Sequence, residues 1–198
     1  MSAIASGPAR PVGRAAAPSQ ATANPLATLG NLVTRGTVAG FASGLVFLVA
    51  NMGWAVHNGK PAVAPMIDIS TIFHAQDTPA PITAAALGPD NVVVGLVTHA
   101  TLSVLFGIGF ALLAAAVVRR SSAMLPLAGI AYGLLLYVIN FQILGRTAFP
   151  WFTDSMGPPQ GFEVLIHAVF GLMLVPFLLG VLPGDLERDA GPGRRADR

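Results

Sequence analysis

The chain has 198 residues, of which 54% are hydrophobic and 10% charged, with a formal net charge of +2. A soluble domain is about one-quarter charged, so this composition and a mean hydropathy of +0.68 point to lipid rather than water as the solvent. The pI near 9.7 comes from few charges; they form no recognition helix and no basic–aromatic stripe, so no nucleic-acid partner is expected. With no cysteine, disulfides, thiolate zinc sites, cysteine-held iron–sulfur clusters and covalent c-type haem are excluded.

Residues 1–33 are rich in Ala, Pro, Ser and Gly, carry Arg10 and Arg14 and no acid, and read as a disordered cytoplasmic tail. Four apolar blocks follow: Gly36–Gly59, Asn91–Val118, Ser121–Gly145 and Val164–Gly184. None contains Asp, Glu, Lys or Arg, and each reaches the ~20 residues that cross ~30 Å of hydrocarbon. The expected fold is an all-α integral membrane protein of four transmembrane helices, about 36–57, 92–118, 123–145 and 161–182. They form an up-down four-helix bundle (domain 34–182), followed by a cytoplasmic C-terminal tail at 183–198. The first block lies too far in, and is too long, for a cleaved signal peptide.

Orientation follows from the basic residues. With both termini cytoplasmic, nine arginines lie inside and only Lys60 and Arg146 outside, while Asp68, Asp77, Asp90, Asp154 and Glu163 all fall outside. Trp54 and Trp151, with Phe149 and Phe152, sit near outer helix ends as an aromatic belt would. This places the chain as a multi-pass protein of a bacterial inner membrane. The short connection around Arg119–Ser122 requires an antiparallel hairpin. The outer loop 58–90 has apolar residues at roughly helical spacing over 66–75. That pattern suits a short helix lying on the outer membrane surface or, equally, a lid over the bundle mouth.

Gly36, Gly40 and Gly44 recur every fourth residue, as do Gly129 and Gly133, a pattern that lets helix backbones approach in lipid. Pro126 falls in a first helical turn, whereas Pro176 should kink the last helix near Leu172. His99, His167, Asn51 and Asn140 lie on four different helices at ~7–10 Å from the same outer face, counting 1.5 Å per residue. Polar side chains at that depth are where function is sought. Ser103 lies one turn from His99 on the same face, and Glu163 one turn before His167, placed to orient its imidazole. His57 and His74 are expected at the interface or in solvent. Three readings of the layer stand open: interhelical hydrogen bonds alone, His99 and His167 as axial ligands of a b-type haem, or an outer-leaflet pocket for a quinone, lipid headgroup, ion or proton path.

From the second helix onward the chain resembles uncharacterised bacterial inner-membrane proteins of the YagU-like kind. The elements that carry the likeness are Val97-Thr98-His99 with Ser103, Phe106 and Gly109; Leu144-Gly145-Arg146-Thr147 with Phe149-Pro150-Trp151-Phe152; and Glu163 with His167 and Phe170. They span about Gly95 to Gly180, with a looser match near Ala39-Gly40. The resemblance implies a membrane location and a helical fold and no established activity. Some relatives are labelled sodium:proline symporters, but four helices hold no inverted repeat of broken helices. No Walker loop, dinucleotide fingerprint, nucleophile elbow or zinc-protease signature is present. The expectation is a small non-catalytic protein, an accessory or structural subunit packing against other membrane subunits or itself, with no metal. The alternatives are the haem protein and a small transporter or proton-pathway component.

Overall fold

The computed structural model describes residues 25–73, 88–117 and 122–179. The expected tails lie outside these residues except for 25–33, as do His74 and the 118–121 connection. Every described element is helical, and four helices are long and apolar enough to cross a membrane.

Proline marks the helix starts. α1 begins at Pro25 and runs to His57. α2, Ala64–Ser70, and α4, Leu125–Thr147, each carry proline in the first two positions. α3, Pro89–Val117, opens on proline, and α5, Gln160–Leu174, has Pro159 as its N-cap. Proline's fixed φ suits the first turn, where its missing N–H satisfies nothing anyway. α1 therefore starts within what reads from composition as a tail. It stops at Gly59, whose φ of +72° suits glycine. Gly59 N–H there donates to Val56 O and Lys60 N–H to Ala55 O, the paired bonds of a Schellman cap.

α1 packs along α3 and also against α5, while α4 packs along α5. The glycine stripes set the closest of these approaches. A Cβ on Gly36 would lie 2.7 Å from Ile108 Cα, and one on Gly40 would strike Ser103 O. Across the other pair, a Cβ on Gly129 would lie 2.5 Å from Gly171 O, and one on Gly133 would strike His167 O. Lipid tails are as apolar as leucine, so helices associate in membranes by such backbone-close packing. The stripes are thus used within the chain.

Three further details complete the fold. Residues 64–70 form a short helix. Ala64, Met66, Ile67, Asp68 and Ser70 are buried, and Gly95 of α3 leaves room for the Met66 carbonyl. α2 is therefore a plug held against the N-terminal end of α3. The last helix continues past Leu172. It stays α-helical to Leu174 and tightens into a 3₁₀ turn at Val175–Leu178, which accommodates Pro176. Arg35 donates to the Phe177 carbonyl at 3.1 Å, satisfying one of the orphan acceptors of that helix end. α4, finally, changes winding: Val138–Leu144 is π-helical inside an otherwise α-helical segment.

Candidate functional site

Asn51, His99, Asn140 and His167, one from each of the four long helices, line a single cavity of about 260 Å³. Ser103 and Glu163 line it too, together with the aromatic rings of Phe47, Phe106, Phe141, Phe149, Phe152 and Phe170. The polar layer is thus one place in three dimensions. The glycine contacts bring the helices close beside it.

His99 is positioned by the first of these contacts. Gly44 has no side chain, α3 comes close to α1, and His99 Nε2 lies 2.8 Å from the Gly44 carbonyl oxygen. A carbonyl only accepts, so Nε2 carries the hydrogen and donates it. Ser103 Oγ is 3.4 Å from the same nitrogen. His167 is held in the opposite sense. Its Nδ1–H donates to the Glu163 carbonyl at 2.7 Å, one helical turn back. The Glu163 carboxylate oxygen is farther, 3.5 Å from that nitrogen. The oriented imidazole expected from Glu163 therefore exists, but the backbone of Glu163 orients it. Its carboxylate, on a side chain only 3% exposed, is left facing the cavity.

Phe47 occupies the space between the two imidazoles. Its ring stacks on His99 at 5.8 Å and meets the edge of His167 at 4.9 Å. Axial ligation by two histidines needs one free nitrogen of each ring aimed at a common iron. Here one ring nitrogen of each is bonded to a carbonyl, which leaves the lone pairs of His99 Nδ1 and His167 Nε2, and Phe47 touches both rings. Among the described residues, no three His, Cys, Asp or Glu side chains form a metal-binding group.

Asn51 donates to the Phe47 carbonyl one turn back at 3.2 Å. Asn140 lies in the π-helical stretch of α4. The wider π turn places Asn140, Phe141 and Leu144 together on the cavity wall. Single π turns inside α-helices recur at functional sites because they re-aim side chains. Tyr137 donates to Gln160 Oε1 at 2.9 Å and accepts from Gln142 Nε2 at 2.7 Å, tying both ends of the turn to α5. Gln160 then donates to the Phe152 carbonyl at 2.6 Å, which holds the 150–153 turn over the cavity.

The residue that the spacing argument missed is Asp68. It belongs to α2, lines the cavity, and accepts a 2.8 Å hydrogen bond from Trp151 Nε1. Burial pushes its carboxyl up to about 6, against the pull of the Trp151 hydrogen bond and the Lys60 charge. The signal was present as a lone acid inside Met66-Ile67-Asp68-Ile69. Trp151 and Phe152, expected in an interfacial belt, are instead buried, 7% and 9% exposed, because the turn that carries them folds inward onto α2. Trp54 keeps an outward position, stacked on Phe162 at 4.5 Å. His57 is exposed.

Asp68, Asn51, Pro65 and Pro158 also line a second, more polar cleft of about 410 Å³ bounded by Lys60, Asp154 and Gln160. Asp68 therefore stands between this cleft and the cavity. The chain matches no protein-family profile, no curated protein and no solved structure.

Proposed function

We propose that this is a four-helix, up-down protein of a bacterial inner membrane, both termini cytoplasmic, that binds a small ligand in its outer-leaflet cavity without catalysing its conversion. It serves as a small transporter or receptor-like component of the membrane. The observation that carries this reading is the convergence of the six polar-layer side chains on one mostly aromatic cavity of about 260 Å³. Ligand sites are concave and mainly apolar, with a few convergent polar groups, and polar side chains kept in lipid mark pathways or sites. The π-helical turn and the plug α2 border the same space. A purely structural subunit gives no reason for a cavity at this layer, and its glycine stripes are already occupied by the chain's own helices. The likeness to YagU-like proteins supports the membrane location and is silent on the ligand.

The test is ligand-induced stabilisation of the purified protein in detergent. A panel of a short-chain quinone, a lysophospholipid and small aromatic amines, alcohols and acids is screened by thermal shift. A ligand at 100 times its Kd stabilises by about 2.7 kcal/mol. At least one probe should raise the midpoint of wild type and not of Leu102→Trp, which fills the cavity. Shifts that are absent throughout, or equal in the variant, would remove the cavity from consideration.

A further inference from the structure

We infer that the cavity takes an organic cation, a protonated amine on a compact apolar body, with the carboxylates of Asp68 and Glu163 as its counter-ions. This inference rests on the ligand-binding reading above and names the chemical class of the ligand.

Three features of the walls select a cation. The cavity has two carboxyl groups and no lysine or arginine among its lining residues. No hydrogen-bond donor reaches the Glu163 carboxylate among the described residues; the nearest, His167 Nδ1 at 3.5 Å, directs its hydrogen to a carbonyl. The His99 Nε2 hydrogen likewise goes to Gly44 O, so both imidazoles turn a lone pair, not a hydrogen, to any further partner. A site rich in acceptors and poor in donors suits a ligand that brings its own N–H groups. Anionic headgroups find no cationic side chain among these lining residues. Phenylalanine rings complete the wall, and aromatic faces attract cations. For scale, a cavity of 150 Å³ accommodates benzene, so this one suits a body of about ten non-hydrogen atoms.

Charge balance gives the proposal a second consequence. An isolated carboxylate in a low-dielectric site is costly and neutralises by taking up a proton. The raised value of Asp68, about 6, has that cause. When the ammonium enters, the carboxyl ionises against it and the proton leaves through the outer cleft that Asp68 also lines. The groups facing Asp68 are Trp151, Lys60 and Glu163. Those facing Glu163 are Asp68 and His167, with His99 across the cavity on α3. α1 and α4 contribute only the neutral Asn51 and Asn140. Among the described residues, no other charged side chain replaces the missing cation. Amine affinity therefore falls as pH drops below about 6.

The experiment varies the charge of the head on one body. Phenethylamine, 2-phenylethanol and 3-phenylpropionate are titrated calorimetrically into the detergent-purified full chain at pH 7.5. The amine should bind about tenfold or more tighter than the alcohol, as a charge-assisted hydrogen bond warrants, and the acid should not bind. D68N and E163Q should each remove the amine's advantage while leaving the alcohol's affinity unchanged. Should E163Q fail to fold, wild type alone decides at pH 5.5, where the Asp68 carboxyl is largely protonated, in two buffers of different ionisation enthalpy. Amine binding should release protons, and alcohol binding should not. Equal affinity of amine and alcohol, or no proton release, would overturn the cation inference and leave the cavity reading standing. Failure of all three probes to bind would overturn both.

Discussion

The indole Nε1–H of Trp151 donates to Oδ1 of Asp68 at 2.8 Å across 83 residues of chain. This bond joins the plug helix α2 to the turn that follows α4, and both partners are buried. Lys60 Nζ, which donates to the Met156 carbonyl at 3.1 Å, ties the same two loops at the rim. Together they close the outer end of the cavity.

Trp151→Phe should keep most of the packing and delete the donor. Loss of one partner from a buried, charge-capable bond costs about 1–3 kcal/mol. The Asp68 carboxyl should then titrate above its present value of about 6. Unfolding midpoints in detergent for Trp151→Phe, Asp68→Asn and the double variant form a cycle. A coupling near zero would show that the bond does not hold α2 in place.

The pH dependence of stability has a definite sign. Asp68 titrates at 3.8 when solvated and at about 6 in the fold. Its neutral form is thus favoured by folding, and the associated stability is complete below pH 3.8 and lost as pH rises through about 6. The size is on the order of 3 kcal/mol. Asp68→Asn, whose amide oxygen still accepts from Trp151, should abolish this component and equal or exceed wild type at pH 7.5. A variant less stable than wild type at that pH, with an unchanged profile, would contradict the assignment.

Glycine contacts separate two functions. Gly40→Leu and Gly133→Leu should separate α1 from α3 and α4 from α5, because added carbons meet Ser103 O and His167 O. Overpacking of this kind costs about 1–3 kcal/mol or more. Gly95→Ala should act more narrowly by pushing the Met66 carbonyl, and with it α2, off α3. Accelerated proteolysis in the 58–90 loop with an intact helical signal is the expected result. Gly53→Ala and Gly161→Ala, which meet nothing within 4 Å, serve as controls and should match wild type.

The two histidines touch through Phe47, so their effects should not add. His99→Ala and His167→Ala should each weaken ligand binding, and the double variant should cost little beyond the larger single effect. Stability should drop by about 1 kcal/mol for each lost hydrogen bond. Independent, additive losses in affinity would place the histidines in two separate structural roles.

Topology is tested by fusion. A reporter active only outside the cytoplasm should work after Gly157 and be silent after Ser121, following the bias of nine basic residues against two. The reverse pattern would move the cavity to the inner leaflet.

The four apolar blocks were legible in the sequence because a span needs only length and the absence of charge, both of which are properties of contiguous residues. The depth of Asn51, His99, Asn140 and His167 was legible for the same reason, since rise per residue converts position into distance. Facing and partnership were not. That Asp68 joins the layer depends on α2 folding inward, which rests on Gly95 and on a bond to Trp151, and no local period encodes a contact 83 residues away. The π-helical turn is tied by Tyr137 and Gln142 to Gln160 on another helix. The imidazole hydrogens were settled by carbonyls that only close packing brings into reach. Composition determined the solvent this chain folds in and how many times it can cross it. The tertiary structure alone decided which polar groups are satisfied and which remain open to a ligand, because hydrogen bonds are short and directional and hydropathy is neither.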